Sequence, residues 1–271
     1  RHDGAPTSIP YRGQKRWHMV LGLVFGLGAV TWAFSGMLSM DPFPSRTGGA
    51  GRPPGPSIDQ ALRGRVDMAA FAARHPREAL QQLAGLQVKE LELTSFDGEP
   101  VYLATLAGGR TRIVPVRGEP RDEFDHERIV EVVKAAAPDP QAVEARVIHE
   151  YDWYYLDRHG RRPLPVILVL MNDSERARYY IDPRTGRIAG SYSSRNWVNR
   201  WLYTGLHSLN FPFLYKHRPL WDIVVITFML GGTALCVTSL VLAWRVLEKK
   251  AAALAPGRAA SAPPRLREDV A

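Results

Sequence analysis

The sequence predicts a membrane protein in which two transmembrane helices flank an extracytoplasmic α+β region of two similar, tandem units. Three observations predict this class: two long apolar segments, an excess of basic residues in both tails, and a repeated order of helix and antiparallel strands between the segments. The mean hydropathy of −0.19 hides the apolar segments because the rest of the 271-residue chain is polar. A chain of this class has the lipid bilayer as a direct partner.

The two apolar segments are residues 17–40 and residues 220–244. A helix needs about 20 apolar residues to cross the hydrocarbon core of a bilayer, and both segments exceed that length. Small residues at helical spacing, notably Gly22, Gly26 and Gly232, predict that the two helix backbones approach closely. Tryptophan side chains mark the expected membrane interfaces, at Trp17, Trp221 and Trp244.

The distribution of charge predicts the orientation in the membrane. Residues 1–16 and 245–271 together contain 10 basic and 4 acidic side chains, whereas residues 41–218 contain 25 basic and 22 acidic ones. Basic excess stays on the cytoplasmic side, so both termini are expected in the cytoplasm. Residues 41–218 are then extracytoplasmic, residues 1–16 form a cytoplasmic segment, and residues 245–271 form a disordered cytoplasmic tail.

Composition also excludes several classes of function. The isoelectric point near 9.8 is explained by the basic tails, so we expect no nucleic-acid partner. A single cysteine excludes a disulfide framework, a cysteine-ligated metal site and covalent c-type haem attachment. The chain contains no H-E-x-x-H, G-x-S-x-G, P-loop or dinucleotide-binding motif.

Between the spans, residues 41–57 are rich in proline and glycine and predict a linker. Residues 58–120 predict a first unit, with a helix capped by Ser57 and strands near 88–94, 101–106 and 110–116. Residues 121–193 predict a second unit, with a helix capped by Asp125 and strands near 143–150, 165–171 and 177–181. Residues 194–219 form a juxtamembrane amphipathic segment that is expected to lie along the outer membrane surface.

Four sequence strings resemble the PepSY-associated transmembrane family. YYIDPRTGRI at residues 179–188 looks like the closing strand–turn–strand of a PepSY domain, and the others are RWH, RWLYTGLHS and RPLWD, which begin at Arg16, Arg200 and Arg218. The resemblance covers residues 11–247 and implies that both predicted units are PepSY-like. Members of the family are described as iron-regulated or siderophore-linked inner-membrane proteins. Some are implied to bind b-type haem through membrane histidines and to reduce ferric siderophores.

The resemblance implies that His18 and His207 bind haem b, with a ferric siderophore as the ligand that is reduced. An ionisable residue inside a span favours a functional role, yet a histidine beside Trp17 also suits the headgroup zone without any ligand. His207 could likewise be an interfacial histidine bonded to the backbone or to Ser208. The two rings are expected at opposite faces of the membrane, about 30 Å apart, so one haem cannot join them.

Each histidine would then need a partner from additional transmembrane helices or from a second copy of the chain. The family commonly has four or more spans, whereas this chain has two and begins at Arg1 rather than at methionine. A second interpretation stays open: a non-catalytic, membrane-anchored module that binds or regulates an envelope partner such as a peptidase. The aromatic run at residues 151–155 is interpreted as a strand, with stacking of an aromatic ligand as the alternative.

Overall fold

The computed structural model describes residues 9, 11–40, 57–197 and 199–254. The chain divides into two compact units, of which the first combines residues 1–33 and 222–271 and the second spans residues 34–221. The linker predicted at residues 41–57 lies outside the described residues except for Ser57.

The first unit contains most of the two apolar helices, α1 (Gln14–Met37) and α6 (Leu220–Leu254), while residues 34–37 of α1 and 220–221 of α6 belong to the second unit. Both helices are long and apolar enough to cross a membrane. A short 3-10 turn (Leu38–Met40) follows α1. Helix α6 continues ten residues beyond the predicted span, so the expectation of a disordered tail is wrong for residues 245–254. Their alanine, leucine, glutamate and lysine side chains favour helix, and extending a helix that already exists needs no new nucleus. Residues 255–271 lie outside the described residues.

Of the glycines expected at the contact between the two helices, Gly22 faces α6, since its Cβ would lie 3.8 Å from Leu235, but the closest approaches are at two other glycines. A Cβ atom on Gly28 would lie 2.7 Å from the ring of Phe228, and one on Gly231 would overlap the ring of Phe25. The two phenylalanine rings also meet edge to face, with their centroids 6.0 Å apart. By contrast, a Cβ on Gly26 or Gly232 would meet no described atom within 4 Å. Small residues do permit the contact, but each glycine here accommodates an aromatic ring rather than a second small residue.

The described residues of the second unit form four short α-helices and seven strands, besides 3-10 and π-helical segments. The helices are α2 (Ile58–Arg63), α3 (Pro76–Gln81), α4 (His126–Ala136) and α5 (Pro212–Lys216). Strands β1 (Val88–Phe96), β2 (Glu99–Leu106) and β3 (Thr111–Pro115) form one antiparallel sheet in that order. Strands β4 (Val143–Ile148), β5 (Val166–Met171), β6 (Arg178–Asp182) and β7 (Arg187–Tyr192) form the other.

Both predicted helix caps are present at the atomic level. The Ser57 hydroxyl accepts a hydrogen bond from the Gln60 amide at 3.2 Å, and the Gln60 side chain accepts one from the Ser57 amide at 2.9 Å. Asp125 accepts from the amide of Glu127 at 2.9 Å at the start of α4. Local sequence therefore defines where both helices begin.

The order of helix and antiparallel sheet recurs as expected, but the two halves share one apolar core. Helix α2 packs against α4, and a single cluster of buried side chains draws on both sheets and both helices: Ile58, Leu62, Leu103, Ile113, Ile129, Val169 and Ile181. Each half buries its helix against the other half rather than only against its own sheet. The assignment of each half as a PepSY unit stays a prediction.

The predicted Asp-Pro turn joins β6 to β7 and also contacts the first half. The carboxylate of Asp182, which is only 7% exposed, accepts a hydrogen bond from the backbone amide of Arg184 at 3.1 Å. Gly186 has a φ of +67°, which suits glycine, and a Cβ there would press on the rings of Phe96 and Phe124 at 3.1 Å. Those two rings stack with centroids 4.4 Å apart. The turn thus closes the second sheet over an aromatic pair contributed by both halves.

The prediction of a strand at residues 151–155 is wrong, because these residues form a loop. The Asp152 carboxylate accepts hydrogen bonds from the backbone amides of Tyr154 and Tyr155 at 2.8 and 2.7 Å. It also accepts from the hydroxyl of Tyr180 on β6, at 2.8 Å. An aspartate that bonds its own following amides favours a turn, and this local preference prevails over the strand propensity of the aromatic side chains.

Candidate functional site

His18 lies in the first unit, partly buried between the two long helices. Its Nδ1 atom is 3.0 Å from the hydroxyl oxygen of Thr238 on α6. That hydroxyl also lies 2.9 Å and 3.0 Å from the backbone carbonyl oxygens of Leu235 and Ala234. A threonine hydroxyl has a single proton, and a carbonyl oxygen can only accept. When Thr238 donates to its own helix, it accepts from His18, and the imidazole proton is then on Nδ1.

This tautomer determines what His18 can do. With the proton on Nδ1, the other ring nitrogen, Nε2, carries the lone pair. Histidines that ligate metals typically donate their second ring N–H to a nearby oxygen, which fixes both the tautomer and the orientation of the ring. His18 has this arrangement, with Thr238 as the orienting group. The donor set of this part of the chain therefore fits an axial imidazole ligand of a haem iron.

His207 lies in the second unit, at the end of a π-helix (Asn199–His207) that follows a 3-10 turn (Ser194–Asn196). Its Nδ1 atom is 3.2 Å from the hydroxyl of Ser35, which is fully buried, and its ring stacks on Tyr203 with centroids 5.3 Å apart. Gly36 faces the ring, and a Cβ there would lie at an ordinary contact distance of 3.4 Å from it. A π-helix is uncommon and is frequently found at functional sites.

The structure thus gives both predicted histidines a hydroxyl partner at Nδ1, but the pairing differs from the expected one for His207. Ser35, rather than the adjacent Ser208, bonds its ring. Within the described residues of the first unit, His18 is the only histidine, so that part of the chain supplies one imidazole and not two.

Three further histidines among the described residues have local roles. His75 accepts from the amide of Arg77 at 3.2 Å and caps α3, His126 lies 3.2 Å from Glu123, and His217 bonds the carbonyl of Phe213 at 2.8 Å. Among the described residues, no group of three or more His, Cys, Asp and Glu side chains is arranged to hold a metal ion.

Three residues that the sequence analysis did not single out matter here: Thr238, Ser35 and Arg200. Hydroxyl side chains are common in apolar helices, where they bond the backbone of their own helix. Only the packing shows that Thr238 and Ser35 face histidines. Arg200 is 3% exposed although it lies within the segment 194–219 that was predicted on the membrane surface. An arginine at the start of the string RWLYTGLHS gives no separate signal, because an amphipathic helix also contains arginine on its polar face.

Comparison with known proteins supports the family resemblance. A family model described as PepSY-associated TM region matches residues 15–267, a range that contains His18, Ser35, His207 and Thr238. The comparisons with curated proteins and with solved structures gave no match.

Proposed function

The chain belongs to the PepSY-associated transmembrane family, and from this premise we propose that it is part of a b-haem electron-transfer system of the bacterial inner membrane. The system would be linked to the reduction and uptake of ferric iron or ferric siderophores. His18 would supply an axial ligand through Nε2, and His207 is the second candidate ligand. The corresponding enzyme activity would be that of a component of a membrane ferric-siderophore reductase.

A single observation supports this proposal most strongly: the hydrogen bond between His18 and Thr238. The bond fixes the ring between two apolar helices, and with Thr238 as the acceptor it would hold the proton on Nδ1 and leave Nε2 for a ligand. A histidine that merely sat in the headgroup zone would find water for both nitrogens, and no particular tautomer would be favoured. A haem bound here would supply a one-electron carrier, and this chain's own contribution is to hold and orient the ligand ring.

The second axial ligand has to come from outside the described part of the first unit. Another copy of the chain or a partner protein with membrane histidines would provide it. His207, oriented by Ser35 and stacked on Tyr203, has the same pattern of Nδ1 engagement and would act in the same way with a partner of its own.

Absorption spectroscopy of the full chain, purified in detergent from cells that make haem, tests this function. We expect a Soret band that decreases strongly in His18→Ala and that decreases separately in His207→Ala. His159→Ala is the matched control, since this histidine is exposed in a loop, and it should leave the band unchanged.

Thr238 offers a sharper variant because it touches the ring without being a ligand. Thr238→Val keeps the shape of the side chain but removes the acceptor, and loss of such an orienting partner weakens metal-site affinity by about 10- to 100-fold. Thr238→Ser should restore haem retention. A Soret band of equal intensity in wild type, His18→Ala and His207→Ala would overturn the proposal.

The alternative function is a non-catalytic module that binds or regulates an envelope partner such as a peptidase. What favours it is that the second unit forms a folded body with its own core, while its described residues hold no metal-binding cluster. Addition of the purified chain to an envelope peptidase should then change the rate of peptide cleavage, with no haem spectrum in the same preparation. An unchanged rate would count against the module.

A further inference from the structure

A cavity of about 200 Å³ lies in the second unit, between the aromatic loop, the second sheet and the π-helix. Its walls include the aromatic rings of Tyr154, Tyr180 and Tyr192 and the polar side chains of Arg162, Arg200 and Asn210. All of these residues belong to the same compact unit, so the cavity is a feature of one folded body.

Arg200 is the unusual member of this wall because it is almost completely buried. Its guanidinium donates to the carbonyl of Trp153 through Nε at 2.7 Å and also through Nη2, and Nη2 donates to the carbonyl of Asn210 at 3.1 Å. Its remaining nitrogen, Nη1, is buried and has no hydrogen-bond partner among the described residues. A buried donor that belongs to a charged group and lacks an acceptor is costly, so an acceptor is expected at this position.

No described carboxylate compensates the charge of Arg200. Its described hydrogen bonds end on backbone carbonyls, and its guanidinium lies over the ring of Trp201, 5.0 Å from the centroid. Burial lowers the pKa of the Arg200 guanidinium. The Asp152 oxygens are already engaged by the hydroxyl of Tyr180 and by the amide of Tyr155.

The rest of the wall favours an oxygen-rich anion. Arg162 adds a second positive charge, while Ser191 and Thr204 add hydroxyl donors. These donors come from a loop, from β7 and from the π-helix, and therefore surround the cavity from several elements. A phosphate group presents oxygens in several directions and suits such a set better than a planar carboxylate, which presents two. The arginine fork matches phosphate oxygens well.

Asn210 adds a second condition on the ligand. Its Oδ1 atom is buried and has no hydrogen-bond donor among the described residues. The cavity thus combines one unused donor, on Arg200, with one unused acceptor, on Asn210. A protonated phosphate or a phosphate ester with a neighbouring hydroxyl or ammonium group would satisfy both atoms.

We propose that this cavity is a phosphate-binding site in which Arg200 Nη1 and Arg162 hold the anion and Asn210 accepts a hydrogen bond from it. The phosphate comes either from a phospholipid headgroup or from a small soluble phosphate, since both present the same chemistry. The volume admits a phosphate with a few attached atoms, and it excludes a whole ferric chelate. The site is independent of the haem function proposed above.

Asn210→Asp is the decisive variant. The substitution keeps the size of the side chain and replaces its amide with a carboxylate. Arg200 already donates a hydrogen bond to the backbone carbonyl of residue 210, so the new carboxylate lies within reach of the guanidinium. The new carboxylate supplies the acceptor that Nη1 lacks and repels a bound anion. The variant should therefore fold at least as stably as wild type and bind phosphate at least about tenfold more weakly.

The experiment uses the full chain in a phosphate-free, non-ionic detergent and measures the thermal unfolding midpoint against ligand concentration at constant ionic strength. One arm adds sodium phosphate, and the other adds short-chain phosphatidic acid, with short-chain phosphatidylcholine for comparison. A ligand that binds only the folded chain raises the midpoint in a saturable way. Arg146→Gln is the matched control, because Arg146 is exposed on β4 and has no described partner.

A saturable rise in wild type and in Arg146→Gln, lost in Asn210→Asp and in Arg200→Lys, supports the site. A response to inorganic phosphate identifies a soluble ligand, and a response to the lipid alone identifies a headgroup. Absence of any rise in both arms would overturn the proposal, because a water molecule between Arg200 and Asn210 would then satisfy both atoms. A rise that persists in Asn210→Asp would overturn it as well.

Discussion

At the scale of single residues, two side chains with unusual hydrogen bonding distinguish this chain from a simple membrane anchor. His18 has one ring nitrogen committed to Thr238, and Arg200 has one guanidinium nitrogen without a described acceptor. Both facts concern side chains whose partners lie on other elements. In each case, the role of the residue depends on its tertiary surroundings and not on its neighbours in sequence.

Asp157 provides a pH-dependent test at this scale, in the loop that carries Arg162. Its carboxylate accepts from the backbone amides of His159 at 3.0 Å, Arg161 at 2.6 Å and Arg162 at 2.9 Å. The amide of His159 above all, together with those of Arg161 and Arg162, lowers the pKa of Asp157 below its usual value. Because the pKa is lower in the folded chain, this contribution to stability is present at neutral pH and disappears as the pH falls through the folded-state pKa.

Asp157→Asn should therefore lower the free energy of unfolding at pH 7 by about 1 kcal/mol, or the unfolding midpoint by about 2–4 °C. The difference from wild type should shrink below about pH 4, where the wild-type carboxyl group also becomes neutral. Thermal unfolding of the full chain in detergent between pH 3 and pH 7 measures this. Glu119→Gln, at an exposed position, should show little difference at any pH, and a difference for Asp157→Asn that stayed constant down to pH 3 would refute the interpretation.

At the scale of elements, the contact between α1 and α6 depends on aromatic rings that lie against glycines. Gly231 is buried and faces the ring of Phe25, whereas its neighbour Gly232 faces open space. The two adjacent glycines therefore form a matched pair. Both have the helical backbone conformation, and substitution by alanine reduces backbone flexibility equally at both positions.

Gly231→Ala should destabilise the helix pair by about 1–3 kcal/mol, because its Cβ would overlap the Phe25 ring and the core of the contact would be overpacked. Gly232→Ala should stay within about 0.5 kcal/mol of wild type or be slightly more stable, since alanine favours helix more than glycine does. Unfolding of the two variants in the same detergent gives the comparison. Equal midpoints for the pair would show that the ring does not occupy this position.

At the scale of the whole molecule, the family assignment and the two apolar helices make this a membrane protein, while the orientation rests on the distribution of charge. Both proposed functions depend on that orientation. A reductase component has to present its second unit to chelates outside the cytoplasm, and a binding module has to present it to envelope partners.

Protease digestion of intact spheroplasts tests the orientation, with epitope tags placed before residue 1 and after residue 271. The region between the spans should be cut, and each tag should remain on a protected fragment that contains one span. Lysed spheroplasts are the control, in which both tags should be lost. Loss of the tags from intact cells, with the central region protected, would reverse the orientation and remove both proposed functions.

Much of the fold follows from local sequence because its determinants are local. The apolar segments, the Ser57 and Asp125 caps and the Asp182 turn each depend on residues within a few positions of one another. The aromatic run at residues 151–155 shows the limit of such inference. The strand propensity of these aromatic residues predicts the wrong conformation. The hydrogen bonds that Asp152 accepts from the following amides and from the Tyr180 hydroxyl decide the conformation instead.

The sequence by itself determined the two spans, the alternation of helix and sheet, the family and the histidines worth testing. Only the tertiary structure decided that Thr238 orients His18 across a separation of 220 residues, that Ser35 contacts His207, and that Arg200 is buried beside a cavity. The physical reason is that hydropathy and capping are properties of neighbouring residues. Which hydroxyl meets which ring depends instead on how helices and loops pack, and many different registers satisfy the same local pattern.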